Sequence, residues 1–128
     1  MEIKRLKPNY QDERGIINDI LYDEPIDHVT VITSAKGVQR GDHYHKETIQ
    51  WVYLYSGELK SLTQKGSEKV VSVVLEPGDL VKAEKLEHHA LLALEDSVFF
   101  VFTRGPRGGN DYESDTFRLR NPLEEEVA

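Results

Sequence analysis

At 128 residues, with 23 acidic against 16 basic side chains and a formal net charge of −7, the chain can close one hydrophobic core but not two. Such a balance implies no phosphate-neutralising surface, which excludes general nucleic-acid binding while leaving room for a local arginine cluster around a small phosphorylated molecule. The absence of cysteine removes disulfides, thiol catalysis and thiolate-held metal, and no apolar run reaches membrane-spanning length, so a soluble cytoplasmic protein with no membrane partner is expected. In chain order, Ile3 to Lys7 predicts a short edge strand ended by Pro8-Asn9. The turn Asp12-Glu13-Arg14-Gly15 then leads into a strand from Ile16 to Leu21, so residues 1–27 make N-terminal strands with a hairpin. His28 to Ser34 is β-branched throughout, which predicts a strand buried on both faces.

Between Gly37 and Gly57 the chemistry-bearing side chains concentrate. Alternation along a strand places His43 and His45 on one side and Tyr44 on the other, so that two imidazoles converge on one space. Polar Lys46-Glu47-Thr48 reads as a connection, and the strand from Ile49 to Tyr55 returns Gln50 to the histidines. Trp51, Tyr53 and Tyr55 alternate against Gln50, Val52 and Leu54, so they face outward, where another sheet or a second subunit must cover them; a homodimer is expected. Strands follow from Glu58 to Thr63, Val70 to Leu75, Leu80 to Ala83, His88 to Leu94 and Val98 to Thr103, with turns at Gln64 to Ser67, Pro77-Gly78-Asp79 and Glu95 to Ser97. Beyond Arg104, residues 105–110 read as loop and Asp111 to Arg120 as a final strand or extended arm. Leu123 to Ala128 reads as a frayed acidic tail. Short strands with frequent turns and no helical periodicity describe an antiparallel sandwich or barrel with its core over residues 28–104 and an arm and tail over 105–128.

The spacing of Gly37, His43, His45, Gln50 and Gly57 resembles the first motif of the cupin superfamily, with Gln50 where the family usually has glutamate. Gly78 and His89 match its second motif, whereas Glu84, Leu86 and Ala93 stand where proline, glycine and asparagine are usual. The resemblance implies an all-β, single-domain cupin, a double-stranded β-helix or jelly-roll barrel, with His43, His45 and His89 in one barrel mouth. Three imidazoles suit a divalent ion such as Zn, Ni, Fe or Mn, and Gln50 can add an oxygen ligand without negative charge. His28 and His88 read as ordinary structural histidines, and Arg104, Arg107, Arg118 and Arg120 as surface charge. Arg40 and Lys46 flank the histidine strand and form a basic pair able to clamp a phosphate or carboxylate.

Within the cupins, Arg40-Gly41, the two histidines with Lys46, and Gln50 resemble the WxcM-like group of dTDP-4-keto-6-deoxyhexose 3,4-ketoisomerases and sugar epimerases. Asp12-x-Arg14-Gly15 and the run Asp111-Tyr112-Glu113-x-Asp115-x-x-Arg118 are similar to its flanks. The resemblance implies a metal-free dimer in which barrel histidines move protons on a nucleotide-linked keto sugar, with Arg40 and Lys46 as substrate contacts. His28-Val29-Thr30-Val31-Ile32 lacks the aromatic pair associated with the ketoisomerases. A metal-dependent cupin, such as a small-molecule oxygenase, and a non-catalytic sugar- or anion-binding cupin are the alternatives.

Overall fold

The structure is a computed structural model that describes residues 1–106 and 113–125. Its strands are β1 (Glu2–Arg5), β2 (Tyr10–Asp12), β3 (Gly15–Ile17), β4 (His28–Ser34), β5 (Gln39–Tyr44) and β6 (Ile49–Ser56), then β7 (Leu59–Gln64), β8 (Val71–Leu75), β9 (Asp79–Ala83), β10 (His88–Ala93), β11 (Ser97–Arg104) and β12 (Phe117–Arg118). Two five-stranded sheets, in the orders β1-β9-β6-β11-β4 and β12-β5-β10-β7-β8, carry the body, and β2 pairs with β3 as a separate hairpin. Every pairing is antiparallel. Among the described residues there is no helix, and so none long and apolar enough to cross a membrane.

Alternation along the strands decides what fills the space between the sheets. On β11, Ser97, Phe99, Val101 and Thr103 are buried while Val98, Phe100, Phe102 and Arg104 are half-buried, a strict period of two. Val52, Leu54, Leu59, Leu75, Val81, Ala93, Phe99 and Val101 form the main core, and a fully buried residue such as Leu54 or Phe99 contributes about 1.5–3 kcal/mol. The inward side chains change character along each strand: Leu54 and Val52 give way to Gln50 on β6, Phe99 and Val101 to Thr103 on β11, and Leu59 to Ser61 and Thr63 on β7. One end of the sandwich is therefore packed with hydrocarbon and the other is lined with hydrogen-bonding groups.

Some expectations change. β4 is the last strand of its sheet, bonded only to β11, so its β-branched side chains are not buried on both faces: Val29 is 64% and Val31 59% exposed. The strand expected from Ile16 to Leu21 ends at Ile17, after which Ile20 and Leu21 pack with Leu6 and Ile26 around Trp51. Trp51 is thus buried by its own chain, Tyr53 is half-covered in the same cluster, and only Tyr55 of the aromatic row stays exposed, so this row gives no ground for a second subunit. The tail is not frayed at its start either, because Leu123 is buried against Leu62 and Ala90, and Glu125 meets Lys60 at 3.0 Å. Among the described residues the expected final strand is realised in Phe117–Arg118, on the edge of β5. Arg107 and the rest of 107–112, with 126–128, lie outside the described residues.

Candidate active site

The histidines meet at the polar end of the sandwich because β5 and β10 are neighbours. His43 stands opposite His89 in the ladder, and the next pair is Gly41 with Ala90, so Asp42 is an extra, bulged residue. The bulge needs positive φ at Gly41 (96°) and Asp42 (56°). A Cβ on Gly41 would lie 2.9 Å from the His89 carbonyl oxygen, so the glycine lets the two backbones approach and sets His43 beside His89. The Asp42 carboxylate accepts hydrogen bonds from Gln39 Nε2 (2.9 Å) and Leu123 N (2.8 Å), tying the arm to the bulge. His45 follows in the connection to β6, and the three ring centroids lie 4.7–5.0 Å apart.

The His43 and His89 rings line a cavity of about 1280 Å³. His43, His89, Gln50, Thr63, Thr103 and Arg40 are among its lining residues, while Val52, Val81, Phe99 and Val101 form its apolar side. His45 sits behind them, 1% exposed and not on the lining. Its Nδ1 lies 2.8 Å from the carbonyl oxygen of Asp115, which can only accept, so Nδ1 carries hydrogen. Its Nε2 lies 3.2 Å from Gln50 Oε1, and Gln50 Nε2 lies 3.3 Å from Thr103 Oγ1. With the amide oxygen toward Nε2 this arrangement suits an imidazolium. Turned over, the amide presents NH₂ to the lone pair of a neutral ring while the Thr103 hydroxyl rotates to donate. A carboxylate at position 50 would serve only the charged form, whereas the glutamine amide can serve both.

The sequence-predicted basic pair is divided. Arg40 lines the cavity, with Nη2 3.2 Å from the Thr33 carbonyl oxygen. Lys46 is exposed, absent from the lining, and holds its ammonium 4.2 Å from the centre of the Phe117 ring. His88 lies outside the cluster, its Nδ1 3.2 Å from Gln64 Oε1 and its ring 5.2 Å from that of Tyr44; His28 lines the cavity. Sequence reasoning assigned no role to Thr63 and Thr103, both buried polar residues at inward strand positions. It also left Glu113 and Arg118 without a site role, yet both line the cavity and pair at 2.6 Å.

Asp115 is the other residue without an assigned role. Its carboxylate accepts from Lys46 N (3.0 Å), Glu47 N (2.8 Å) and Thr48 Oγ1 (2.8 Å). Burial pushes its pKa up, but these hydrogen bonds, with the nearby His45, outweigh it and hold the carboxyl below its ordinary range. Because the folded value is depressed, the resulting stability is present above the unfolded pKa of about 3.9 and is lost as pH falls through the folded value. Asp115→Asn should therefore lower stability at neutral pH and make denaturant midpoints fall less steeply below about pH 4. An unchanged acid limb would contradict this.

Ligating nitrogens of His43, His45 and His89 all lie within 4.8 Å of one another. Donor type fits a metal, with the Gln50 amide oxygen as fourth ligand and the Asp115 carbonyl as the outer partner of His45. A tetrahedral centre sets its nitrogens about 3.3 Å apart, so any of these separations near the upper bound would have to close.

No protein-family model and no curated protein matches the chain. Solved structures do. QdtA, a sugar 3,4-ketoisomerase from Thermoanaerobacterium thermosaccharolyticum in complex with TDP, superposes with a TM-score of 0.77 at 22% identity over 93% of this chain and 88% of its own. A mutant of that enzyme in complex with TDP-4-keto-6-deoxyglucose gives 0.76 at 22% over 92% and 86%. The dTDP-4-dehydrorhamnose 3,5-epimerase from Sulfolobus tokodaii gives 0.69 at 21% over 82% and 69%. With its paired antiparallel sheets and its histidines at one end, the chain has the cupin jelly-roll fold that these sugar-modifying enzymes share.

Proposed function

We propose that this protein is a sugar epimerase or isomerase acting on a nucleotide-linked keto sugar, with His43, His45 and His89 moving the proton. The observation that carries this reading is the meeting of three imidazoles at one end of a cavity that is apolar on one side and hydrogen-bonding on the other. Shifting a carbonyl, or inverting a carbon next to it, removes a proton α to the carbonyl and returns one through an enediol. Both steps need a group that titrates near neutrality, and histidine is that group. The Gln50 amide and Thr103 hydroxyl, able to serve either protonation state of His45, support the same chemistry. The apolar wall shields the intermediate from water.

The cavity exceeds the roughly 300–1,000 Å³ of typical small-molecule sites, so a sugar nucleotide has room. Its diphosphate would meet Arg40 rather than Lys46. Arg40→Ala should weaken binding of TDP, titrated calorimetrically, roughly 10- to 100-fold, the value of one or two charge-assisted hydrogen bonds. Turnover at saturation should change little. Equal affinity in the variant would remove Arg40 from the binding site.

The histidine cluster also supports a metal-dependent reading, in which His43, His45, His89 and Gln50 hold a divalent ion that supplies Lewis-acid chemistry. Elemental analysis of untagged protein separates the two: stoichiometric Zn, Ni, Fe or Mn favours the metal-dependent cupin.

A further inference from the structure

The most heavily bonded side chain near the histidines comes from outside the cupin motifs. Asp115 lies on the arm, 70 residues after His45, yet its carbonyl oxygen lies 2.8 Å from His45 Nδ1. Asp115 adopts φ of 58°, a left-handed conformation that few residues other than glycine, asparagine and aspartate tolerate. In that conformation its carboxylate and its own carbonyl both reach the segment from His45 to Thr48, and together they accept hydrogen bonds from His45, Lys46, Glu47 and Thr48.

We propose that Asp115 is a positioning residue: its carboxylate clamps the turn after His45, and its carbonyl thereby holds His45 in the Nδ1–H form with Nε2 turned toward Gln50. The carbonyl alone is a single contact from a surface arm. Three donors on the carboxylate fix the arm and the turn as one body, so the carbonyl cannot drift from the ring without breaking them. A histidine side chain in water favours hydrogen on Nε2, which would leave its lone pair on Nδ1, facing away from Gln50. The clamp reverses that preference and turns the lone pair of the neutral ring toward the Gln50 amide, 3.2 Å away. Asp115 does not touch the reacting atoms. Its effect on turnover rests on the isomerase reading above; its effect on the ring does not.

The test compares wild type with Asp115→Gly, which keeps both the main-chain carbonyl and the freedom to adopt positive φ while removing the carboxylate. Long-range proton–nitrogen NMR on the full-length protein reports which nitrogen of His45 carries hydrogen. Wild type should show hydrogen on Nδ1. The variant should lose that pattern, and with a nucleotide-linked keto sugar kcat should fall at least tenfold while KM stays within about twofold. Asp115→Asn, which also tolerates the left-handed region but turns one acceptor into a donor facing an N–H, should move the ring in the same direction and serves if the glycine variant does not fold. Retention of the wild-type nitrogen pattern in a folded variant would overturn the proposal. If wild-type protein turns over no nucleotide sugar, the isomerase reading fails, and the nitrogen pattern alone still decides whether Asp115 positions His45.

Discussion

His43→Asn is expected to reduce proton exchange on a nucleotide-linked keto sugar by about 10²- to 10⁴-fold, the range a positioned general acid or base contributes. The substitution keeps a polar side chain of similar reach on β5, beside His89 and across from Gly41's close approach to β10, so the sheet that builds the cavity is preserved. What disappears is the imidazole, the group able to accept and return the proton. His45→Gln should cause a loss of the same order, with a different signature. His45 is fully buried and bonded to both Asp115 and Gln50, so this variant should also lose some stability. Single-turnover exchange, measured beside a denaturation curve for each variant, separates the two contributions. An active His43→Asn protein would mean that this ring does not handle the proton.

Gly57→Ala should be the most damaging change to the fold itself, about 3–5 kcal/mol, at the upper end of single-residue effects. A Cβ there would overlap the Asp96 carbonyl oxygen and lie 2.7 Å from the Ser97 Cα, both main-chain atoms, with φ already at 94°. The opposing turn has little freedom to retreat, since Asp96 Oδ1 accepts from Lys36 N (2.8 Å) and Ser97 Oγ from Glu58 N (3.1 Å). Gly37 bounds the same motif and also has positive φ, 89°, but a Cβ there would meet nothing within 4 Å. Gly37→Ala should therefore cost only about 1–2 kcal/mol of backbone strain. Urea midpoints of the two variants make the comparison, and similar losses would show that the approach of Gly57 to the 96–97 turn is not limiting.

The contrast between these glycines shows how far the sequence carries. Motif spacing named both, and it named His43, His45, Gln50 and His89, because residue offsets along two strands are local and strand alternation converts them directly into direction. Alternation read along β6 likewise foretells that Gln50, Val52 and Leu54 face inward. What local pattern does not contain is neighbourhood. The β-branched run in β4 announces a strand but not that it is an edge, so Val29 and Val31 are exposed. The outward face of Trp51 is legible, whereas its cover, made by Leu6, Ile20, Leu21 and Ile26, depends on where the N-terminal segment crosses β6. Lys46 sits beside a histidine in sequence and turns to Phe117 in space, while Asp115 and Thr103 reach the site through contacts that span 70 and 53 residues.

The central claim is that buried histidines here move a carbon-bound proton, and incubating wild-type protein with a dTDP-linked 4-keto-6-deoxy sugar in deuterium oxide tests it most directly. The expected result is incorporation of deuterium next to the carbonyl, followed by NMR. A sugar nucleotide that binds at the cavity yet exchanges no carbon-bound proton anywhere between about pH 6 and 9 would contradict it and leave a binding protein.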